Sequence, residues 1–496
     1  MIVTSKLKKY ICLIIAIIIL ITVTASLLIS DTPNKRNKYT INAEFHADTN
    51  TILANMNIKF YNNYDQSLDS IMLALYPNAF MHPETAPFED ADIPLAYPNG
   101  FSDGSITVDN VTLNGAEAEA QISPTSQQMT ISFPKKLKKG GCANISFDFT
   151  LKIPNANGRF GYIGNTVNLG NWYPQILIKK DNRWLFTNYT AIGDPFVSET
   201  ADYEIYFTTP KQYTVIGSAP ISNTAYQDKK VWQTKAENIR DFALVISSEL
   251  NVLSDNSCGT IINCFYKEDA AQARAAVKAA TDAIKLFNNI YGAYPFEQFN
   301  IVQTSFFIGG MEYPGIVFID NAYFEKENLH PLENVVVHEC AHQWWYASVG
   351  NDQINEAWID EGLATYSTML YYEKYKDRET HKLYYKYYVS NAYKFHRDDP
   401  NVTSNNLSER FTLPLTEYPN STFYTMICYE KSAMMLQCVR ELLGDTLFFE
   451  GIKCLYESNT GKIVDANIFK KAFGDHTDKP VEKLIDAWIN DKIHIP

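Results

Sequence analysis

The sequence predicts a multidomain α+β protein with an N-terminal membrane helix, an antiparallel β-sandwich or saddle over residues 39–254, and a mostly helical domain with a small sheet over residues 255–496. Three observations predict this. The chain has 496 residues, which is too long for one ordinary hydrophobic core. Its apolar pattern changes from strand-like to helix-like near residue 267. An uncharged run of 21 residues precedes both regions.

The composition is that of a folded, acidic protein. Apolar residues make up 46% of the chain and charged residues 20%, which excludes wholesale disorder. Residues 1–38 hold six of the 43 basic side chains and one of the 56 acidic ones, so the remainder has 37 basic and 55 acidic residues, a net charge of −18. A nucleic-acid-binding surface needs an excess of positive charge. We therefore expect no nucleic-acid partner.

Residues 1–38 are predicted to be a cytoplasmic tip, a transmembrane anchor and a short linker. Tyr10–Ser30 carries no charge and is long enough to cross the roughly 30 Å hydrocarbon layer as a helix. Three lysines precede it, at positions 6, 8 and 9, so the positive-inside rule places the rest of the chain outside the cell membrane. The alternative is a secreted protein, because Val23-Thr24-Ala25 is a small-residue cleavage site for a signal peptide.

Residues 39–254 show the alternation and the β-branched and aromatic content of strands. The clearest runs are Tyr39–His46, Met56–Tyr61, Asn144–Ile153, Tyr203–Thr208 and Phe242–Ile246. A strong helical pattern then begins with Glu268–Phe287. Two short strands, Phe299–Gln303 and Gly315–Ile319, are followed by predicted helices at 331–349, 356–376, 379–395, 424–443, 447–457, 465–473 and 480–491.

Two compositional features leave alternatives open. Residues 371–393 hold eight Tyr, which could line an aromatic groove, although the half-buried face of a helix is the favoured interpretation. Of the eight Cys, only Cys258 and Cys264 are close enough in sequence to bridge across a turn, and for them a disulfide and two free thiols are equally supported. The other cysteines are predicted to be small buried hydrophobes.

The motif H-E-x-x-H at positions 338–342 predicts a metal site. On a helix, residues four apart lie on one face, so the imidazoles of His338 and His342 can reach one ion. Eighteen residues separate His342 from Glu361, which falls on the next predicted helix. Two His and one Glu are the ligands of a catalytic zinc site with one open position. Zinc lowers the pKa of a bound water to about 7, and Glu339 is then suited to act as general base.

These motifs resemble the gluzincin zinc metallopeptidases, the family of aminopeptidase N and leukotriene-A hydrolase. The H-E-x-x-H motif with Trp358-Ile359-Asp360-Glu361-Gly362 matches the family's zinc signature. Three further segments resemble its G-x-M-E-N, Y-x-K-G and N-D motifs: Gly309-Gly310-Met311-Glu312-Tyr313, Cys428-Tyr429-Glu430-Lys431-Ser432 and Asn355-Glu356. The resemblance is strong over 255–496 and rests only on overall β character over 39–254. It implies a thermolysin-like fold for residues 255–496.

The resemblance also implies a role for each matched residue. One Zn²⁺ per chain would be bound by His338, His342 and Glu361, with Glu339 as general base. Tyr429 would donate its hydroxyl to the oxyanion of the tetrahedral intermediate. Glu312 would accept the free α-amine of a peptide substrate, next to the substrate-lining residues Gly309, Gly310 and Met311.

The sequence departs from the family pattern at several points. Tyr313 replaces the Asn of G-x-M-E-N, and Ser432 replaces the Gly of Y-x-K-G. The family's β-domain glutamine has no clear counterpart near Asn171–Gln175, and we expect no C-terminal helical domain after Trp488. We expect a zinc aminopeptidase. The alternatives are an open-cleft zinc endopeptidase, a catalytically silent peptide-binding protein on the same fold, and an epoxide hydrolase like the leukotriene enzyme.

Overall fold

The first half of the chain is built from strands. The computed structural model describes residues 35–325, 329–403, 408–493 and 495. The strands up to residue 247 are β1 Asn37–His46, β2 Thr51–Tyr61, β3 Leu68–Ala74, β4 Ser105–Leu113, β5 Ala116–Glu117, β6 Ala120–Ile122, β7 Gln128–Leu137, β8 Cys142–Lys152, β9 Phe160–Ile163, β10 Thr166–Leu169, β11 Gln175–Ile176, β12 Lys179–Lys180, β13 Arg183–Trp184, β14 Ala201–Pro210, β15 Thr214–Gly217, β16 Ile221–Tyr226, β17 Lys229–Ile239 and β18 Leu244–Ser247. Between β3 and β4 lie one short α-helix, α1 Ile93–Ala96, and three short 3-10 helices.

Eight of these 18 strands form one sheet in the order β16-β17-β14-β1-β2-β8-β4-β5. Along β1 the residues alternate between buried and accessible, as the sequence pattern predicts. The prediction of a purely antiparallel sheet is wrong at one place, because β1 pairs in parallel with β14. A parallel pair needs a long connection, and the chain covers more than 150 residues between these two strands.

A second region follows, with a small sheet and most of the helices. Its sheet has the order β19-β20-β21-β23-β22. The strands are β19 Asn251–Asp255, β20 Ile261–Tyr266, β21 Gln298–Thr304, β22 Gly310–Met311, β23 Ile316–Asp320, β24 Gly350–Asn351 and β25 Ile463–Val464. The predicted domain boundary at residue 254 falls inside β19 and stays a prediction, since residues 37–496 pack as one unit.

The helices of this region are close to the predicted ones; some are shorter or divided, and the predicted 447–457 is longer in the structure. They are α2 Ala270–Ile290, α3 Leu329–Ala341, α4 Trp358–Tyr375, α5 Arg378–Tyr385, α6 Asn391–Asp398, α7 Pro400–Thr403, α8 Ser421–Thr425, α9 Ser432–Leu443, α10 Asp445–Asn459, α11 Ala466–Gly474 and α12 Val481–Ile489. Two π-helical turns divide predicted continuous helices. The first π turn is Lys386–Ser390 and the second π turn is Met426–Lys431.

Helix α3 is shorter than the predicted 331–349. It ends at Ala341, and the chain then folds back through a tight loop in which Tyr346 has a positive φ of 109°. Within this loop the backbone amide of Ala347 donates to the carbonyl of His342 at 3.0 Å. The apolar residues of the loop had extended the predicted helix, but here they pack as a buried turn.

A buried arginine joins the β region to this loop. The Arg240 guanidinium is almost completely inaccessible and donates to the backbone carbonyls of Tyr346 at 2.7 Å and Lys462 at 3.0 Å. It also donates to the carbonyl of Ser198 at 2.5 Å. Gly350 is required here, because a side chain at that position would collide with the guanidinium. One side chain therefore fixes the loop after α3 against the strands.

The predicted membrane anchor, residues 10–30, lies outside the described residues. Within the part of the chain that the structure describes, no helix combines the length and apolar character needed to span a bilayer. The seven described cysteines are free thiols, so Cys258 and Cys264 do not form the disulfide that the sequence left open. Cys142 is exposed, against the expectation of a buried hydrophobe.

Candidate metal centre and active site

The structure brings the three predicted metal ligands to one point. The Nε2 atoms of His338 and His342 lie 3.1 Å apart, and each lies 3.3 Å from the Oε2 atom of Glu361. His338 is on helix α3, His342 follows its last turn, and Glu361 is in the first turn of α4. The four-residue spacing and the packing of α4 against α3 therefore converge as the sequence predicts.

Hydrogen bonds outside this triad orient its ligands. The Nδ1 atom of His342 lies 2.9 Å from the carbonyl oxygen of Trp345. A carbonyl oxygen only accepts hydrogen bonds, so Nδ1 of His342 carries a proton. Nε2 is therefore the ring nitrogen that faces the other two ligands and would bind a metal ion. The other carboxylate oxygen of Glu361 accepts a 2.6 Å hydrogen bond from the Tyr429 hydroxyl. Next to Glu361, the buried Asp360 accepts hydrogen bonds from Asn351 and Gln353, each at 2.7 Å.

The charge balance at this point calls for a cation. Burial lowers the pKa of His342, but the carboxylates of Glu312 and Glu361 outweigh it, so its pKa is raised well above the ordinary value. Burial raises the pKa of Glu361, but the two imidazoles outweigh burial and lower this pKa to about 2. A proton on His342 thus balances the surrounding carboxylates. A divalent ion on the three lone pairs would supply that positive charge instead.

Unpaired buried atoms show that the residues present fit a metal ion. Oε2 of Glu361 has no hydrogen-bond partner, and the same is true of Oε1 of Glu312 and Oε2 of Glu339. Buried carboxylate oxygens without donors are costly unless a ligand satisfies them. Two imidazoles and one carboxylate, with room beside them, are the ligand set of catalytic zinc.

Glu339 lies beside the triad and not within it. Its side chain is buried, and burial together with the nearby Glu361 raises its pKa to about 8, although His342 acts in the opposite direction. Gly310 makes room for it, because a β-carbon at position 310 would overlap the Glu339 carboxylate. Strand β22 can therefore pass directly over the general-base candidate only with glycine at that position.

Gln343 holds the turn between β22 and β23, which carries Glu312, against helix α3. Its Oε1 accepts from the backbone amide of Gly315 at 2.8 Å, and its Nε2 donates to the carbonyl of Glu339 at 3.2 Å. Glu312 is thereby placed at the cavity wall with an unpaired carboxylate oxygen. Burial is the main cause of the strongly raised pKa of Glu312.

The other residues of the G-x-M-E-N-like segment divide between two positions. Gly309 and Gly310 line the cavity, and Gly309 has a φ of 110°, where glycine is favoured. Met311 does not line the cavity. Its side chain is buried, and its sulfur accepts from Nε of Arg159 at 3.1 Å. The sequence prediction that Met311 lines the substrate site is therefore not reproduced by its position.

Tyr429 is in the second π turn, which packs against helix α4. Its ring stacks on that of His338 with 5.6 Å between centroids. Burial and Glu361 raise its pKa well above the ordinary value, so the hydroxyl keeps its proton.

Ser432 packs directly against Gly362 of helix α4, where any side chain at position 362 would collide with Ser432. The replacement of the family glycine by Ser432 is thus accommodated by the glycine on the facing helix.

Tyr313, which replaces the family's asparagine, points into the β region. Its hydroxyl donates to Oδ1 of Asn171 at 2.8 Å, and Nδ2 of Asn171 donates to Asp241 at 2.9 Å. Gly170 allows this approach, because a side chain there would overlap the Tyr313 hydroxyl. Tyr313 therefore anchors the turn after β22 to the β region and adds no group to the cavity.

Two functional candidates were missed by sequence reasoning. Asp194 and Arg159, both in the β region, form a buried ion pair of 2.5 Å at the cavity wall. A carboxylate oxygen of Asp194 lies within 4.8 Å of ligand oxygens of Glu312 and Glu361. Nothing in the sequence near position 194 marks it, because a single Asp in a loop between strands carries no motif. Only the fold brings it to the metal site.

The cavity around these residues has a volume of about 690 Å³. One wall carries Glu430 and His396, whose carboxylate oxygen and Nδ1 atom lie 3.0 Å apart. Burial raises the pKa of Glu430 to about 8 and lowers the pKa of His396. Near neutral pH the pair is therefore uncharged, with the Glu430 carboxyl group donating to Nδ1.

Sequence comparison matches part of the chain to a known family. Residues 275–488 match the peptidase family M1 domain. Aminopeptidase Ey of Gallus gallus is 25% identical over 313 residues, which are 58% of this chain and 31% of that protein. Aminopeptidase N of Acetobacter pasteurianus is 23% identical over 274 residues, 51% of this chain and 75% of that protein. The chain thus spans about a third of the length of the first relative, and the gluzincin resemblance is confirmed.

Structural comparison extends the likeness to the β region. The M1 zinc metallopeptidase of Deinococcus radiodurans superposes with a TM-score of 0.65, covering 93% of this chain and 94% of that chain at 14% identity. A mutant of a two-domain M1 zinc metallopeptidase bound to L-arginine gives the same TM-score at 13% identity, covering 93% of this chain and 95% of that chain. At this identity the likeness concerns the fold. It confirms a sheet-rich first region followed by a mostly helical region.

Replacing Glu430 with glutamine tests the uncharged pair. In the unfolded chain the pKa of Glu430 is its ordinary value of 4.5, and in the folded protein it is about 8. Because the folded state holds the proton more tightly, this stabilisation is complete below pH 4.5 and is lost as the pH rises through 8. Relative to Glu430→Gln, the parent should lose roughly 1.4 kcal/mol of unfolding free energy per pH unit in this window.

The measurement is urea unfolding of both proteins at about pH 5, 6.5 and 8. The exposed Glu450→Gln variant is the matched control and should follow the parent. Parallel pH dependence in the parent and Glu430→Gln would show that Glu430 is ionised in the folded protein throughout.

Proposed function

Because residues 275–488 belong to peptidase family M1, we propose that the protein is a zinc-dependent aminopeptidase that releases N-terminal residues from peptides. The observation that carries the proposal is the arrangement of donors around one point. Three ligands, a separate buried carboxylate at Glu339 and a protonated hydroxyl at Tyr429 surround a single cavity. The unpaired carboxylate of Glu312 in the same cavity supports removal of the first residue.

The chain's own residues can carry the proton steps of hydrolysis. His338, His342 and Glu361 would hold the zinc ion, which when bound polarises a carbonyl and acidifies water. Glu339 takes a proton from the attacking water as its oxygen bonds to the peptide carbon. Glu339 then gives that proton to the leaving nitrogen as the C–N bond breaks. Tyr429 turns its hydroxyl from Glu361 to the carbonyl oxygen and stabilises the negative charge that forms there.

The position of the substrate follows from the two carboxylates near the β region. Glu312 and Asp194 lie close together, and Arg159 neutralises only Asp194. An α-ammonium group beside Glu312 would satisfy its unpaired oxygen through a charge-assisted hydrogen bond. The first peptide carbonyl would then fall next to the metal ligands, so that cleavage removes one residue.

We also propose that the catalytic part lies outside the cell membrane, anchored by residues 10–30. The uncharged run and the three lysines before it support this orientation. Protease treatment of intact cells should then remove the catalytic part. Protection until the cells are lysed would reverse the orientation, and a soluble mature form beginning near residue 26 would favour the secreted alternative.

Glu339→Gln should separate metal binding from catalysis. The amide is nearly isosteric but cannot accept a proton, so we expect kcat to fall by at least about a hundredfold while the zinc content is unchanged. The measurement is the rate of release of the first residue from a free peptide, with zinc determined in the same sample. Substantial turnover in this variant would exclude Glu339 as the base.

Free and N-acetylated peptides should distinguish an aminopeptidase from an endopeptidase. Acetylation removes the positive charge that Glu312 accepts, so the acetylated peptide should be a poor substrate for the parent protein. Glu312→Ala should lower kcat/KM for free peptides by about ten- to a hundredfold without loss of zinc. The exposed Glu297→Ala variant is the control and should behave like the parent. Equal cleavage of both peptides at internal bonds would establish the open-cleft endopeptidase instead.

A further inference from the structure

The catalytic cavity has walls of two kinds. On the β-region side it is lined by Arg159 and Asp194, which also line a neighbouring cavity of about 430 Å³. Elsewhere it is lined by helix α3 and by the segment 378–398, which contains α5, the first π turn and α6. Since Asp194 lies beside Glu312, the β-region side belongs to the α-amine. The helical wall is left for residues that follow the cleaved bond.

The helical wall is aromatic. Tyr384, Tyr387 and Tyr388 line it, together with Pro331 and Val335 of helix α3. Tyr387 and Tyr388 are 64% and 48% exposed, although tyrosine rings on a helix ordinarily bury one face. Three of the eight Tyr in residues 371–393 thus line the cavity, whereas Tyr371, Tyr372 and Tyr393 are buried, as the favoured interpretation predicts.

One of the two exposed rings, that of Tyr388, is held in place from behind. Tyr384 is buried between Tyr388, at 4.8 Å between ring centroids, and Tyr372 of α4, at 4.2 Å. Tyr387 and Tyr388 are both in the first π turn, which packs against the second π turn that carries Tyr429. π-helical turns are rare and occur mostly at functional sites. The stacked Tyr384 and Tyr388 thus form a preformed aromatic surface, and the π turn that carries Tyr388 adjoins the one that carries the oxyanion donor.

The charges of the cavity argue against a free carboxylate as the ligand of this wall. Glu430 and His396 pair with each other, and Arg159 is occupied by Asp194. Among the described residues that line the cavity, no cation outside the metal triad remains to receive the C-terminal carboxylate of a dipeptide. A buried carboxylate without a partner is strongly unfavourable.

We propose that the wall formed by Tyr384, Tyr387 and Tyr388 is a subsite for a large apolar side chain at the second residue of the substrate. Such a side chain covers the exposed ring faces, and the peptide continues past Glu430 towards solvent. Peptides of three or more residues are then preferred to dipeptides. The inference rests on the proposed aminopeptidase function, because residues are counted from the α-amine at Glu312.

The test uses peptides that differ only at the second residue: Ala-Phe-Ala, Ala-Leu-Ala and Ala-Gly-Ala. For the parent protein, kcat/KM should be about ten- to a hundredfold higher for Phe or Leu than for Gly. Tyr387→Ala and Tyr388→Ala should each reduce this ratio by about three- to tenfold, while Tyr387→Phe and Tyr388→Phe retain it. Both side chains are exposed, so neither truncation empties the core.

Leu383→Ala is the matched control. Leu383 is 49% exposed on the same helical segment but does not line the cavity, so its truncation should leave the ratio unchanged. An unchanged ratio in the double Tyr387→Ala/Tyr388→Ala variant would overturn the subsite, and so would equal cleavage of all three peptides by the parent. Faster cleavage of Ala-Phe than of Ala-Phe-Ala would show that the helical wall does accept the C-terminal carboxylate of a dipeptide, and would contradict the preference for longer peptides. Failure of the parent to cleave any of them would remove the proposed function itself.

Discussion

The structure depends on the balance between buried carboxylates and one cation. Glu312, Glu339, Glu361 and Asp194 are all buried around the imidazole of His342, and within this cluster only Arg159 brings a fixed positive charge. Such a concentration of negative charge is unstable unless protons, a metal ion or a substrate ammonium compensate it. The raised pKa values of Glu312 and Glu339 and the raised pKa of His342 are three expressions of this demand. Metal binding and recognition of the substrate amine are therefore consequences of the same electrostatic constraint.

Holding those charges together requires the β region as well as the helices. Arg240 fixes the loop that follows helix α3, and Gln343 joins that helix to the turn between β22 and β23, which carries Glu312. Glycine at position 310 lets strand β22 pass over Glu339. The β region also supplies Asp194 and Arg159, so the first two regions of the chain build one cavity between them. In this arrangement the helical wall, with its exposed tyrosines, is left to interact with the substrate.

The sequence predicted the parts of the site that depend on local spacing. His338 is in the last turn of helix α3, His342 follows four residues later just beyond its end, and Glu361 is at the start of α4, so motif and geometry agree. Asp194 and Arg159 could not be predicted, because they reach the site through a long-range fold with no signature in either segment. The helix over 331–349 was predicted too long, since apolar residues that continue a helix and those that fill a buried turn look alike. The parallel pairing of β1 with β14 was missed for a similar reason: alternation reveals a strand but not the direction of its neighbour.

The imidazoles of His338 and His342 and the carboxylate of Glu361 should together bind one divalent ion. The most direct measurement is the zinc content of the parent and of Glu361→Gln after dialysis against limiting free zinc. The parent should retain one zinc per chain, and Glu361→Gln should retain much less, because the neutral amide is a poor ligand and leaves two imidazoles to hold the ion. Full zinc content in Glu361→Gln, or none in the parent, would contradict the account.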